Sequence, residues 1–194
     1  MSGHKIVLLG DTMVGKTTLI QQITQGSVQL DQYPTIAATE VKKFYKFENT
    51  QYKLSFWDTA GQERFRSLTP LYFGNVSLFL ILFDVTYQQY STFESCTSWI
   101  DTVRTSCHGA KIILIGNKLD LKAQRVISSD QARLFANGKQ IWYVECSAQV
   151  GTGVIKLMDK ICEYINKPFP PINHYTEEST EVVHKKRKEK QCCF

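Results

Sequence analysis

The 194-residue sequence has few of the features that mark secreted, membrane-spanning or metal-clustered proteins. No apolar run approaches the roughly 20 residues that cross a bilayer, and the apolar stretch near the N-terminus is too short for a signal peptide. The six cysteines do not have the spacing of metal ligands, and internal repeats are absent. For most of these cysteines we therefore expect free thiols in a reducing cytosol.

The excess of positive charge is unevenly distributed. The chain carries 23 Lys and Arg against 18 Asp and Glu, a net charge of +5, and much of this excess lies in the run 184–190. A basic tail is not a basic binding face, so we expect no nucleic acid as a partner. The content of 43% hydrophobic and 21% charged residues suits a single domain with a full hydrophobic core.

Apolar runs and helical periodicities alternate along the chain and predict an α/β fold. The pattern predicts strands at 5–9, 77–84, 111–117 and 141–146, a hairpin of 44–47 with 52–57, and helices at 16–25, 93–105, 128–137 and 154–165. Because the strands after the hairpin are continuously apolar, both faces of the sheet should be covered and the sheet should be mostly parallel. Ligands of such sheets bind outside the carboxyl ends of the strands, where the motifs below fall.

The ends and faces of the later helices are also predicted. Gly138 is expected to end the third helix. The last helix should bury a face made of Ile155, Met158, Ile161, Cys162 and Ile165. Pro168 and the prolines after it should end that helix, so we predict one domain over 1–167 and a disordered tail over 168–194.

Residues 10–17, GDTMVGKT, match the G-x-x-x-x-G-K-[ST] pattern of a phosphate-binding loop between a strand and a helix. Its glycines let backbone N–H groups turn toward an anion, and the helix N-terminus adds a favourable dipole. Lys16 supplies a positive charge for the β and γ phosphates, and the Thr17 hydroxyl suits Mg²⁺. The loop does not select a base, since ATPases and kinases also use it.

The segment 117–120, NKLD, follows another predicted strand and indicates guanine as the base. It has the N-K-x-D pattern of GTP-binding proteins. The two carboxylate oxygens of Asp120 match the guanine N1–H and exocyclic amine, a donor pair that adenine lacks. Asn117 should tie this segment to the phosphate loop, and the aliphatic part of Lys118 should cover the base.

The segment 57–63, WDTAGQE, shows which family these motifs resemble. It is similar to the corresponding segment of Ras-superfamily small GTPases, and its leading Trp57 is typical of the Rab branch. Residues 64–68 and Tyr72 look like the Rab switch II. The resemblance covers about residues 4–166 and a C-terminal lipidation site. It implies a P-loop NTPase small G domain, with a six-stranded, mostly parallel sheet and helices on both faces.

The resemblance implies a two-state switch. Asp58 would hold Mg²⁺ through water, and Thr35 would bind Mg²⁺ and the γ phosphate in the GTP state. The Gly61 N–H would sense the γ phosphate, and Gln62 would orient the attacking water as the catalytic residue. When the γ phosphate leaves, Thr35 and Gly61 lose their partner and both switch segments relax.

Further nucleotide contacts are implied by the same resemblance. Ser147 and Ala148 are similar to an S-A-K element whose backbone N–H contacts the guanine O6, with Gln149 in place of the usual lysine. The other implied contacts are Asp11, Thr12, Met13, Val14, Gly15, Thr18 and Tyr33.

Other residues also depart from the family pattern. Thr12 and Met13 occupy loop positions that are usually small, and we expect Thr12 to crowd Gln62 and slow hydrolysis. Val28 replaces a phenylalanine that commonly covers the guanine edge, so nucleotide release should be faster than usual. Glu40 falls where Rabs usually have a phenylalanine of an effector-binding aromatic trio, so the effector surface should differ.

The C-terminus resembles a membrane anchor. Cys192 and Cys193 look like the paired-cysteine prenylation site of Rabs, and two prenyl chains would anchor the chain stably. The basic run 185–190 adds attraction to anionic lipid. The resemblance implies an endomembrane switch in vesicle trafficking, and residues 64–70 and 98–105 look like the Golgi-associated Rab subgroup.

The resemblance also implies protein partners: an exchange factor, a GTPase-activating protein, a GDP-dissociation inhibitor and effectors. No arginine is placed to stabilise transition-state charge from within the chain. Hydrolysis should therefore be slow until a partner supplies one.

Two other functions fit parts of the pattern. A scaffold locked on its nucleotide would hold GTP without hydrolysing it, but the presence of Gln62, Thr35 and Thr17 argues for a working switch. An ATP-dependent phosphoryl-transfer enzyme is disfavoured by the N-K-x-D segment and by the lack of a substrate domain.

Overall fold

A computed structural model describes residues 3–28, 35, 38–59, 71–86 and 92–167. These residues form six β-strands and four α-helices, with a short 3-10 helix at Lys122–Gln124. The strands are β1 Gly3–Leu9, β2 Thr39–Phe47, β3 Thr50–Asp58, β4 Val76–Asp84, β5 Ile112–Asn117 and β6 Trp142–Glu145. The helices are α1 Lys16–Gln25, α2 Thr92–Ser106, α3 Ser129–Gly138 and α4 Val154–Asn166.

The strands of the described residues form one sheet in the order β2-β3-β1-β4-β5-β6. Only β2 and β3 are antiparallel, and the other neighbouring pairs are parallel. The hairpin turns at Glu48 and Asn49, where Glu48 has a φ of +52°. The predicted α/β class and the six-stranded, mostly parallel sheet are confirmed.

Helices cover both faces of the sheet, as the continuous apolar strands require. On one face, α1 and α4 pack over residues that include Leu54 and Phe56. On the other face, α2 and α3 pack over a second group around Phe83 and Trp99. Burying a side chain as large as Phe56 stabilises the fold by about 2–3 kcal/mol, so the two layers hold the sheet edge in place.

Two details differ from the sequence prediction. The first is the strand β2, which begins at Thr39, five residues before the predicted start, because pairing with β3 extends the hairpin to Asp58. The helix α3 ends at Gly138 as expected, and Gln140 after it takes the left-handed conformation, with a φ of +52°.

The second difference is the buried face of α4, which was predicted only partly correctly. Ile155 is 75% exposed, whereas Leu157 is fully buried beside Met158, Ile161 and Cys162. The helix therefore packs on a face rotated from the predicted one. Ile155 was assigned to the buried face because it is apolar, but it is exposed.

The topology brings the carboxyl ends of the parallel strands to one edge of the sheet. Gly10 follows β1, Asp58 ends β3, Asp84 ends β4 and Asn117 ends β5. In sheets of this kind ligands bind at that edge. None of the described helices is both long and apolar enough to cross a bilayer.

A candidate nucleotide site at the carboxyl edge of the sheet

A cleft of about 440 Å³ opens at the carboxyl edge of the sheet. It runs from the loop between β1 and α1 to the loops that follow β5 and β6. Its lining residues are Thr12, Met13, Gly15, Lys16, Thr17, Thr18, Thr35, Thr59, Asn117, Lys118, Asp120, Leu121, Ala148 and Gln149.

The phosphate loop requires glycine at two points. At Gly10, with a φ of +135°, a Cβ would lie 2.3 Å from the Leu82 carbonyl oxygen. At Gly15, with a φ of +94°, a Cβ would lie 2.3 Å from the Asn117 side-chain nitrogen. Gly15 is also the N-cap of α1, and no side chain caps this described helix. Its first backbone N–H groups are therefore suited to an anion.

Lys16 is a buried ammonium at the bottom of the phosphate end of the cleft, which is the end that the 10–17 loop forms. It is 6% exposed, and its Nζ donates to the Gly10 carbonyl at 2.8 Å and to the Asp11 carbonyl at 2.7 Å. Burial lowers the pKa of Lys16 to about 8, although the Asp58 and Asp11 carboxylates act in the opposite direction. A charged group held in such an environment gains most from a neighbouring anion such as phosphate.

Three oxygen-bearing side chains meet beside Lys16. The Thr17 hydroxyl donates to Asp58 Oδ2 at 2.6 Å and lies 3.0 Å from the Thr35 hydroxyl. Thr35 Oγ1 lies 3.4 Å from the same Asp58 oxygen. Burial raises the pKa of Asp58, and the Thr17 hydrogen bond and the Lys16 charge partly offset this rise.

This oxygen cluster fits a hard divalent cation such as Mg²⁺. Asp58 Oδ1 is buried and has no hydrogen-bond partner among the described residues, so an acceptor remains unsatisfied at this point. The described residues contain no group of three or more His, Cys, Asp or Glu suited to a metal. A cation here would therefore take its other ligands from phosphate and water, which is how Mg²⁺ commonly binds.

The other end of the cleft, formed by Asn117, Asp120 and Ala148, is the base end. It is held together by Asn117, which is 2% exposed. Its Nδ2 donates to the Val14 carbonyl at 2.8 Å, and its Oδ1 accepts from the Ala148 N–H at 2.9 Å. The predicted tie from Asn117 to the phosphate loop is thus confirmed. The Ser147 hydroxyl donates to Asp120 Oδ1, which orients that carboxylate.

Lys118 is anchored at its charged end. Its Nζ lies 2.6 Å from Oδ2 of Asp84, a carboxylate that is only 3% exposed. The other Asp84 oxygen accepts from the Thr86 N–H at 2.8 Å. Lys118 has a φ of +70° and lines the cleft, and its ammonium is paired with Asp84.

The predicted site residues fall into three groups. Those that line the cleft are Thr12, Met13, Gly15, Lys16, Thr17, Thr18, Thr35, Asn117, Lys118, Asp120 and Ala148. Those that do not line it are Asp11, Val14, Asp58 and Ser147. Those outside the described residues are Tyr33, Gly61, Gln62, Cys192 and Cys193.

Three lining residues were not predicted as site residues. Thr59 is 2% exposed, and its hydroxyl donates to the Leu8 carbonyl at 2.6 Å. Leu121 directly follows the NKLD segment, and this position in the sequence could have indicated that it lines the cleft. Gln149, noted only as a departure from the S-A-K pattern, also lines the cleft.

The other departures are visible in the structure. Met13 has a φ of +61°, which is uncommon for a residue other than glycine, and its side chain is 83% exposed at the mouth of the cleft. Val28 is half-buried and does not line the cleft. Glu40 lies opposite Trp57 in the hairpin and pairs with Lys42 at 3.4 Å.

A second surface lies on the hairpin, on the same sheet face as α2. Along β2 this open sheet face presents Glu40, Lys42, Phe44 and Lys46, and along its neighbours Lys53, Trp57 and Lys5. Phe44 is 57% exposed. Lys5 Nζ lies 4.2 Å from the centre of the Trp57 ring, and Trp57 contacts Tyr72 with ring centres 6.0 Å apart.

The chain is similar to known proteins over most of its length. A model of the Ras family matches residues 5–167. The Homo sapiens Ras-related protein Rab-30 is 34% identical over 165 residues, which are 84% of this chain and 80% of that protein. The Arabidopsis thaliana Ras-related protein RABA1a is 33% identical over 164 residues, which are 84% of this chain and 75% of that protein.

Proposed function

The chain belongs to the Ras family of small GTPases, in its Rab branch, and from this premise we propose that the cleft is its guanine-nucleotide site. As a member of this family the protein binds GTP and GDP and hydrolyses GTP. The proposal assigns the phosphates to the end formed by Gly10–Thr17 and the base to the end formed by Asn117, Asp120 and Ala148.

One observation carries the assignment of the phosphate end. Thr17, Thr35 and the buried carboxylate of Asp58 meet within hydrogen-bond distance beside the buried ammonium of Lys16. The unsatisfied Asp58 Oδ1 supports a cation held through water at this point. Mg²⁺, when bound, would neutralise charge on the β and γ phosphates. Thr17 and Thr35 would supply the hydroxyl ligands.

The base end supports guanine for a geometric reason. Ser147 occupies one oxygen of Asp120 and thereby fixes the carboxylate plane in the cleft. A fixed carboxylate accepts from two adjacent donors, which guanine has and adenine lacks. The anchored stem of Lys118 would cover one face of the base.

Hydrolysis would proceed at the phosphate end as a timed switch. Thr35 and Gly61 contact the γ phosphate in the GTP state and lose this partner after hydrolysis, and Gln62 orients the attacking water. The reaction is slow until a GTPase-activating protein supplies an arginine. An exchange factor then replaces GDP by GTP.

The membrane role depends on the tail. A globular domain over 1–167 followed by a disordered tail over 168–194 would place Cys192 and Cys193 within reach of a bilayer, where two prenyl chains anchor the protein. The location is then the cytosolic face of an endomembrane, with Golgi membranes as the first to examine. A GDP-dissociation inhibitor would extract the GDP form into the cytosol.

Effectors would bind at the open sheet face and the two switch segments. Glu40 replaces one aromatic of the trio, while Trp57 and Tyr72 are still in contact. Four lysines and the exposed Phe44 give this face a net positive charge with one aromatic anchor. An effector with an acidic contact surface is the partner that fits it.

The cation assignment is tested by comparing two threonines of α1. Thr17→Ala removes a proposed Mg²⁺ ligand, whereas Thr24→Ala removes a hydroxyl that donates to the Ile20 carbonyl within the helix. With a fluorescent GDP analogue, EDTA should accelerate release from the parent and from Thr24→Ala by at least about tenfold. Thr17→Ala should release it fast with or without Mg²⁺. A Thr17→Ala protein that keeps the full Mg²⁺ effect would refute the assignment.

The tail is tested in cells. Intact mass spectrometry of the parent should show two prenyl groups, and a Cys192→Ser, Cys193→Ser variant should be unmodified and leave the membrane fraction. A Cys107→Ser variant serves as the control, because Cys107 is a free cysteine of the folded domain. An unmodified parent C-terminus would contradict the proposal.

A further inference from the structure

A hydrogen bond joins the phosphate loop to a helix that does not line the cleft. The indole Nε1–H of Trp99, in α2, donates to Oδ1 of Asp11 at 2.9 Å, across 88 residues of sequence. Trp99 is 1% exposed and belongs to the core layer under α2. Asp11 itself does not line the cleft. The indole thus holds the carboxylate on the α2 side of the loop.

The charge of Asp11 has the wrong sign for its position. Its backbone carbonyl accepts from Lys16 Nζ at 2.7 Å, in the loop assigned to the phosphates. Its carboxylate is close enough to Lys16 to act on that ammonium electrostatically. A carboxylate turned into the cleft would repel a polyphosphate and would compete with it for the donors of Lys16.

We propose that Trp99 is a positioning residue for nucleotide binding, which keeps the negative charge of Asp11 directed away from the phosphates. The inference rests on the proposed function of the cleft. An indole suits this task because it offers one N–H and no acceptor, on a ring fixed by the core. A hydroxyl or amide side chain would be free to turn its own acceptor toward the loop.

A purely structural role predicts a different outcome. If Trp99 acted only by filling space, its loss would accelerate nucleotide release equally whether residue 11 is charged or neutral. If it acts on the carboxylate, its effect on the nucleotide should disappear once the charge is removed. A double-mutant cycle separates these two cases.

The test uses the full chain loaded with a fluorescent GDP analogue and Mg²⁺. Trp99→Phe keeps a ring in the core and removes the donor, so release should be roughly tenfold faster. Asp11→Asn removes the charge and should release the analogue more slowly than the parent. Adding Trp99→Phe to Asp11→Asn should change release by less than about twofold. Trp142→Phe, at another buried tryptophan, should release as the parent does.

A second variant covers the case in which Trp99→Phe fails to fold. Asp11→Glu keeps the charge but moves the carboxylate by one methylene from the indole, so release should be faster, in contrast to Asp11→Asn. The inference is overturned if Trp99→Phe accelerates release equally in both backgrounds, or if folded Trp99→Phe and Asp11→Glu both release as the parent does. Failure of the proposed function is distinct, since the parent would then not retain the analogue at all.

Discussion

At the phosphate end of the cleft, the polar groups bind one another: Lys16 donates to loop carbonyls, and Thr17 donates to Asp58. At the base end, the polar groups are bound to the rest of the fold. Asn117 is tied to Val14 and Ala148, and Lys118 to the buried Asp84. The first set of contacts must change when phosphate and a cation bind, whereas the second set can persist.

This difference explains how one cleft can both retain a ligand and respond to it. A preorganised base end lowers the conformational ordering that binding requires. The phosphate end contains groups whose partners are exchanged, so the presence or loss of one phosphate alters contacts there. On the proposed function, the phosphate end is therefore the end that switches, and the base end is the end that selects the nucleotide.

The largest effect is expected at the phosphate end. Among the described residues, Lys16 supplies the ammonium at the bottom of this end of the cleft. Lys16→Met would remove its proposed charge-assisted hydrogen bond to the β phosphate of GDP. GDP affinity should fall by about 1000-fold, measured by competition with a fluorescent analogue. Lys139→Met, at a lysine outside the cleft, is the control. A loss of less than about tenfold would show that the cleft does not bind phosphates through Lys16.

A substitution at the base end should change which base is bound, and not only how tightly the nucleotide binds. Asp120→Asn replaces one acceptor oxygen by a donor, which suits xanthine, since that base carries a carbonyl where guanine carries its amine. GDP affinity should fall by roughly 100-fold, while affinity for xanthosine diphosphate should rise. Asp130→Asn, at the N-terminal turn of α3, should change neither. An equal loss for both nucleotides would mean that Asp120 does not read the base.

The tie between the two ends should appear in stability as well as binding. Asn117→Ala leaves the buried Val14 carbonyl and Ala148 N–H without their partner. The free energy of unfolding of the nucleotide-free protein should decrease by about 2 kcal/mol, measured by urea denaturation. Asn137→Ala, near the end of α3, is the matched control. Equal stability of Asn117→Ala and the parent would show that the two ends are not coupled through this side chain.

The smallest effect is a pH dependence that belongs only to the phosphate end. The pKa of Lys16 is lowered to about 8 in the free cleft, and phosphate anions should raise it again on binding. Binding then takes up a proton above pH 8, so GDP affinity is highest below that pH and falls as the pH rises through it. Between pH 7 and 8.5, in EDTA, the loss should be about fourfold.

Lys16→Arg provides the control for this dependence, because a guanidinium remains charged throughout the range. The arginine variant should bind more weakly but with a flat pH profile. The same slope in both proteins would assign the titration to another group.

Much of the phosphate end was predictable because its residues are close in sequence. The loop from Gly10 to Thr17 folds back on itself, so its spacing alone indicates which groups meet. The strands and helices were predictable for a similar reason, since apolar runs report burial directly. The misassigned face of α4 shows the limit: Ile155 is apolar, but its exposure was decided by how the helix packs.

Contacts between distant segments were less accessible to sequence reasoning. The hydrogen bond from Trp99 to Asp11 and the ion pair of Lys118 with Asp84 join residues on different elements. Each side chain is unremarkable within its own segment. Their meeting depends on strand order and register, which no local pattern encodes.

The sequence by itself determined the family of this protein and the motifs that carry its proposed chemistry: a phosphate loop, a carboxylate for guanine, and the threonines and aspartate suited to a cation. Local spacing is sufficient for such motifs, because each one is built on a single turn or strand end. Only the tertiary structure decided how these parts are held. The parallel sheet brings five chain segments to one edge, and long-range hydrogen bonds then leave the base end fixed and the phosphate end free to change partners.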